Sequence, residues 1–143
     1  MTFFLDANVP MYAVGREHRY KAPCLRILEA VATRDLDGVS SSEVVQEILH
    51  RFFSLGEREK ALSVAADFLA LLRQGILSVG VADMAEVLEI ARSYPQLSAR
   101  DLVHVATMRT NGLKDIVSAD AHFDGVAGII RHDPEVLART LGR

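Results

Sequence analysis

The chain has 143 residues, half of them apolar and 24% charged, the composition of a globular protein able to bury a core without covalent staples. Its one cysteine, Cys24, excludes an internal disulfide and a multi-cysteine metal site. The net charge of −3 neither calls for nor rules out a nucleic-acid partner, because a carboxylate metal site adds negative charge that a bound cation offsets.

Thr2–Leu5 is apolar and strand-like, and Asp6 cuts it short, so no signal-peptide core forms there. No stretch approaches the ~18–20 apolar residues needed to span a bilayer, and a cytoplasmic location with no membrane partner is expected. Pro23 suits the first turn of a helix running to about residue 33, with Leu25, Ile27 and Leu28 as apolar members and Cys24 packed as a small apolar residue. Asp37-Gly38 predicts a turn, and residues 39–40 a brief second strand. Val44, Val45, Ile48, Leu49, Phe52 and Phe53 recur at helical spacing, and Gly56 ends that helix. A further helix covers about residues 57–72 until Gly75 stops it, and residues 76–79 are strand-like.

Asp83 then suits the N-cap of a helix reaching Tyr94, with Pro95 as its stop. Residues 98–111 form another helix, closed by Gly112. Residues 116–118 and 129–131 are short apolar runs bounded by Asp and Gly, hence strands, and Pro134 starts a last helical turn or two. Short strands alternating with helices predict an α/β fold: three α/β/α layers around a short central parallel β-sheet, in one domain over residues 1–143.

Four acids, Asp6, Glu47, Asp101 and Asp120, draw attention within this frame. In an open parallel sheet the carboxyl ends of the strands line the ligand crevice, and Asp6 and Asp120 each follow a strand there. Gathered carboxylates suit hard divalent cations. Asp6 competes with the role of turn opener, as do Asp120 and Asp124. Asn8 is placed to orient the Asp6 carboxylate by a hydrogen bond.

Asp101 has a structural competitor, because Ser98 to Asp101 fits a capping box and an acid in a first helical turn complements the helix dipole. His104 and Met108 share a side of that helix with Asp101, and His104 reads as a packed or hydrogen-bonded residue. Glu47 lies on the polar face of its helix, where a solvated glutamate is expected. Glu43, one turn earlier on the same side, pairs with Ser40 in a second capping box, and periodicity cannot choose between the two acids.

Other acidic chemistries fit less well. A haloacid-dehalogenase-like phosphotransferase requires an acid where Asn8 stands, and a receiver domain requires a strand-end Asp and a Lys that residues 76–81 and 129–131 do not supply. Neither a glycine-rich phosphate loop nor zinc-ligand spacing is present.

The segments FLDANVPMYAVG, SSEVVQEILHR, LSARDLVHVATM and IVSADAHFDGV, in this order, make the chain resemble the PIN-domain ribonucleases, specifically the VapC-like toxins of toxin–antitoxin pairs. The resemblance spans nearly the whole chain. It implies that the family acids fall on Asp6, on Glu47 rather than Glu43, on Asp101 and on Asp120. Ser118 matches the supporting hydroxyl, and Asp124 a more variable acidic position. His122 departs from the pattern, standing where many members carry an acid.

The implied activity is Mg²⁺-dependent, or Mn²⁺-dependent, endonucleolytic cleavage of RNA. Asp6 and Asp101 would be direct metal ligands, and Glu47 and Asp120 would hold waters or a second ion. The implied partners are RNA, a cognate antitoxin that inserts an Arg among the carboxylates, and a second copy of the chain docked through the helices around residues 44–53 and 61–72. Arg51, Arg92, Arg100 and Arg109 are candidate phosphate contacts. The alternatives are a housekeeping RNA-processing nuclease and a non-catalytic RNA-binding module of the same fold.

Overall fold

The computed structural model describes residues 1–141. The elements run β1 (Thr2–Leu5), α1 (Asn8–Val14), α2 (Lys21–Ala32), β2 (Asp37–Ser41), α3 (Ser42–Ser54), α4 (Arg58–Leu72), β3 (Ile76–Leu77), α5 (Val81–Ile90), α6 (Ala99–Thr110), β4 (Asp115–Val117), β5 (Ile130–His132) and α7 (Pro134–Thr140). The five strands form one parallel sheet in the order β3-β2-β1-β4-β5. Phe4 pairs with Val39 on one side and Ile116 on the other, which aligns the carboxyl ends of β1, β2 and β4. Helices α1, α2 and α7 pack as one group, α5 and α6 as another, and α3 bridges α4 and α6. This is the expected three-layer α/β/α arrangement. No helix among the described residues is long and apolar enough to cross a membrane.

The core forms where strand and helix apolar positions meet. Phe4, Leu5, Ile116 and Val117 of the central strands are fully buried, as are Ile27, Ile48, Val105 and Met108 of the covering helices. A strand covered on both faces reads as a continuous apolar run, as residues 3–5 of β1 and residues 116–117 of β4 do. Cys24 is buried on α2, where loss of hydration pushes its thiol up to about 12.

Several local expectations are corrected. Helix α1 was not expected: seven residues are too few for apolar periodicity, and its only marker is Pro10 in the first turn. Asp37 and Gly38 do not make a turn but begin β2. A Cβ at Gly38 would stand 2.9 Å from Val31 Cγ2, so the glycine serves the packing of α2 on the sheet. The strand expected over residues 76–79 stops at Leu77, because the Val79 N–H turns to Ser42 Oγ, 3.1 Å away. The strand expected over 129–131 lies one residue later. Ser40 caps nothing: its hydroxyl donates to the Leu5 carbonyl at 2.8 Å, and Ser41 is the N-cap of α3.

Asp83 also changes place, from N-cap to third residue of α5. Its carboxylate accepts the Gly80 N–H at 2.7 Å and the Thr110 hydroxyl, tying α5 to the end of α6 while almost fully buried. Asp83→Ala removes two hydrogen bonds to a charged carboxylate, leaves their donors on exposed Gly80 and Thr110 to water, and is expected to lower stability by about 1–2 kcal/mol. Urea unfolding checks this; a loss below about 0.5 kcal/mol would mean that the tie contributes nothing.

Candidate metal centre

Strand β1 delivers Asp6. The Asp6 N–H continues the ladder to the Val117 carbonyl at 3.1 Å, and the side chain then turns into the space above the sheet edge. It is 4% exposed. Its Oδ1 accepts the Ala7 N–H at 2.8 Å, and its Oδ2 accepts the Ser118 hydroxyl at 2.7 Å and the Asn8 amide at 3.2 Å. Asn8 Nδ2 also reaches Ser118 Oγ at 3.0 Å, while Asn8 Oδ1 accepts the Ala119 N–H at 3.3 Å. Asn8 and Ser118 thus lock the carboxylate between the ends of β1 and β4. Burial pushes the Asp6 carboxyl above its ordinary range and Glu47 adds to the rise, against the opposing pull of His104, Ser118 and the Ala7 N–H.

Helix α3 carries Glu47 in from the other side. Glu47 Oε1 lies 3.2 Å from His104 Nε2, and Oε2 lies 3.5 Å from Arg51. Burial alone would raise its carboxyl, but the His104 bond and charge, with Arg100 and Arg51, bring it below the ordinary value. Glu43, one turn earlier, instead pairs with Arg100 at 3.4 Å. The two glutamates left equivalent by periodicity are separated by what α6 sets against them.

Helix α6 supplies Asp101 and His104, one turn apart. Ser98 Oγ accepts the Asp101 N–H at 3.1 Å, so this acid does sit in a capped first turn. Its carboxyl is nevertheless pushed upward, by burial and then by Asp120 across the cleft. Asp120 follows β4; its N–H donates to Ser118 Oγ at 3.0 Å, and its Oδ1 accepts the His122 N–H at 2.9 Å. His122 Nδ1 stands 3.2 Å from the same oxygen.

His104 is fully buried beneath the acids, its Nε2 also 3.7 Å from Asp6 Oδ1 and its ring 5.7 Å from that of Phe4. Burial disfavours its charged form, but Glu47, Asp6 and Asp101 outweigh that and raise its pKa. Its Nδ1 has no partner among the described residues. The expectation of a hydrogen-bonded His104 agrees with this geometry. Its position as the hub of the acids was not foreseen, and only its spacing from Asp101 along α6 hinted at it.

The acids therefore form two adjoining groups. Ligand atoms of Asp6, Glu47 and His104 lie within 4.8 Å of one another, and so do those of Asp101, Asp120 and His122. Helix α6 joins the groups through Asp101 and His104, and Ser118 joins them through Asp6 and Asp120. The departure at His122 brings an imidazole to the second group. Asp124 stays outside both, held by Arg131 through contacts of 2.9 and 3.1 Å. Arg131 in turn donates to the Ser118 carbonyl at 3.0 Å, so Asp124 braces the site at one remove.

Of the candidate phosphate contacts, Arg51 and Arg100 border the centre through Glu47 and Glu43. Arg109 is committed elsewhere, donating to the Ala127 carbonyl at 2.7 Å. Arg92 lies exposed in the 3₁₀ turn Ala91–Ser93 after α5.

The donor set fits a hard divalent cation. It is mostly carboxylate oxygen, and two of its acids, Asp6 and Asp101, are driven above their ordinary pKa by burial and by a neighbouring carboxylate. Gathering like charges out of water costs free energy, and a bound cation offsets that cost.

Comparison with known proteins gives the same direction. The chain is 34% identical over 127 residues to the ribonuclease VapC13 of Mycobacterium tuberculosis, covering 89% of this chain and 96% of that one. It is 35% identical over 117 residues to VapC23 of the same organism, covering 82% and 91%. Its fold matches a chain in the crystal structure of VapBC2 from Rickettsia felis bound to a promoter DNA fragment. That match has a TM-score of 0.73 and 18% identity, covering 92% of this chain and 98% of that one. The family model of the PIN domain matches residues 3–129, and with these relatives it establishes that the chain belongs to the PIN-domain family.

Proposed function

We propose that this chain is a Mg²⁺-dependent endoribonuclease, the toxin of a VapBC-type toxin–antitoxin pair, forming one PIN domain over residues 1–143. The observation that carries the reading is the convergence of Asp6, Glu47, Asp101 and Asp120 on one sheet edge, in a chain aligned almost end to end with VapC ribonucleases. Asp6 and Asp101 are the direct ligands, the ion being Mg²⁺ with Mn²⁺ as substitute. Glu47 and Asp120 hold waters or a second ion.

A bound divalent cation supplies an acidified water as nucleophile and positive charge for the phosphate as it gains negative charge. The protein's own part is positional. Asn8 and Ser118 hold the Asp6 carboxylate in one rotamer, and His104 holds Glu47. Burial of Asp6 keeps bulk water away from one side of the centre, and Arg51 and Arg100 stand where an RNA phosphate approaches. Asp124 acts only by fixing Arg131 against the Ser118 carbonyl.

The antitoxin is a protein whose Arg-bearing tail enters the acidic groove, where a guanidinium can meet a carboxylate in a forked pair. A second copy of this chain docks through α3 and α4, on which Phe53, Leu62 and Leu69 are exposed. The protein acts in the cytoplasm. A short upstream reading frame for a DNA-binding antitoxin separates this reading from a housekeeping RNA-processing nuclease.

Purified protein incubated with total RNA should cleave at discrete sites in Mg²⁺ and lose essentially all cleavage in EDTA, with recovery on adding Mg²⁺ or Mn²⁺. Sequencing of the new 5′ ends reads the sites. Cleavage that persists unchanged in EDTA would overturn the metal assignment. RNA binding with no turnover under any divalent cation would favour a non-catalytic module.

A further inference from the structure

One feature on the same sheet edge takes no part in holding the acids. Two of the chain's three tyrosines flank the link between α1 and α2, Tyr12 in the last turn of α1 and Tyr20 at the N-cap of α2, with His18 between them. The His18 ring stacks on Tyr12 with centroids 4.6 Å apart and planes within 22°, and it lies 5.8 Å from Tyr20 at 19°. Tyr12 and Tyr20 are themselves 5.3 Å apart. Aromatic rings of a core are hidden from water, but His18 is exposed and both tyrosines are only half-buried. Three rings have been assembled at the surface, the tyrosines resting partly on the core and His18 outermost.

Their place is set by the elements that build the centre. Tyr12 is four residues beyond Asn8 on α1, on the same side of the helix, and Asn8 touches both Asp6 and Ser118. Tyr20 donates its hydroxyl to Asp133 at 2.6 Å, just past the end of β5. That end lies beside β4, because the Ser118 N–H bonds the His132 carbonyl at 3.2 Å. The cluster therefore sits at the carboxyl edge of the sheet, about one helical turn from the residues that orient Asp6.

The loop is also basic. The Arg19 guanidinium lies 4.8 Å from the centre of the Tyr20 ring, steadied by Glu135 at 2.8 Å, and Arg16 is exposed nearby in sequence. His18 Nδ1 accepts the Tyr20 N–H at 3.2 Å, which fixes the imidazole ring against rotation. Arg51 and Arg100 border the acids on the α3 and α6 side, so cations flank the centre on both sides.

We propose that Tyr12, His18 and Tyr20 form a base-stacking platform for single-stranded RNA next to the acidic centre, with Arg16 and Arg19 meeting its phosphates. Every base offers a flat face to a ring, and cations along the path answer the charge of the backbone. An unpaired strand can present such faces, whereas stacked bases of a duplex cannot. The proposal rests on the ribonuclease reading and adds to it the residues that grip the strand beside the centre.

The test is fluorescence anisotropy with a short labelled single-stranded RNA of mixed sequence, in EDTA so that cleavage does not compete, alongside steady-state cleavage in Mg²⁺. His18→Ala is expected to weaken RNA binding by roughly tenfold or more, the scale of one lost base stack, and to raise KM with kcat within about twofold. His18→Phe keeps a ring and should restore affinity. Tyr12→Ala should behave as His18→Ala does, and a duplex RNA of the same sequence should bind more weakly than the single strand.

Unchanged affinity and KM in both alanine variants, while the unaltered protein cleaves normally, overturns the platform and leaves the nuclease reading intact. An unaltered protein that neither binds nor cleaves RNA defeats that reading itself. Alanine variants that keep RNA affinity but lose the antitoxin would reassign the rings to a protein partner and overturn the RNA proposal.

Discussion

Asp101→Asn is expected to reduce metal-dependent RNA cleavage beyond the 10–100-fold typical of residues that merely support a metal ligand, and to leave the protein folded. The substitution keeps the shape of the side chain and does not touch the Asp101 N–H that bonds Ser98 Oγ, so the start of α6 retains that cap. What it removes is a charge facing Asp120. Burial and Asp120 raise the folded carboxyl above its unfolded value, so the ionised acid costs stability at neutral pH. The neutral amide removes that cost.

Cleavage and metal-free stability should therefore move in opposite directions, read by single-turnover cleavage and by thermal unfolding in EDTA. If Asp101 served only to cap the helix, the variant would lose several tenths to about 1 kcal/mol and keep its activity. Retained cleavage by a folded variant would sink the assignment. Asp6→Asn should also abolish cleavage, but less cleanly. Its amide points an N–H at a group that now donates to Asp6, either the Ala7 N–H or Ser118 and Asn8, at a cost of about 1–3 kcal/mol.

His104→Ala should lower stability by about 3 kcal/mol or more in EDTA. Its imidazole is fully buried against Glu47 and Asp6, and its loss leaves two carboxylates facing each other with no intervening donor. Saturating Mg²⁺ should then stabilise the variant more than it stabilises the unaltered protein, because a cation binding only the folded state repays part of the repulsion. Urea unfolding with and without Mg²⁺ measures both quantities. An identical loss in the two conditions would reduce His104 to a packing residue against Phe4.

The order and type of most elements are legible in the chain because their signals are local. Helix α3 shows its apolar stripe, and the left-handed glycines Gly56 and Gly112 follow α3 and α6 where a residue without a Cβ is favoured. Helix α1 escapes detection because seven residues hold too little periodicity. Gly38 misleads because close approach of Val31 requires a glycine just as a turn does. Asp83 is placed correctly near a helix start but assigned the wrong end of the capping bond.

By itself the sequence determined that Asp6 and Asp120 follow strands and that Asp101 sits in a first helical turn, since each follows from its immediate neighbours. The order of the four family motifs added the kinship that groups them. That resemblance also chose Glu47 over Glu43, and the tertiary structure adds what stands opposite each on their shared helix face: Arg100 for Glu43, His104 for Glu47. Only the tertiary structure set His104 under the acids, His122 beside Asp120, and the Tyr12–His18–Tyr20 cluster along the same edge. Periodicity reports which face of an element is polar. Which residue that face meets depends on contacts between segments far apart in the chain, and these exist only once the sheet has brought the strand ends into line.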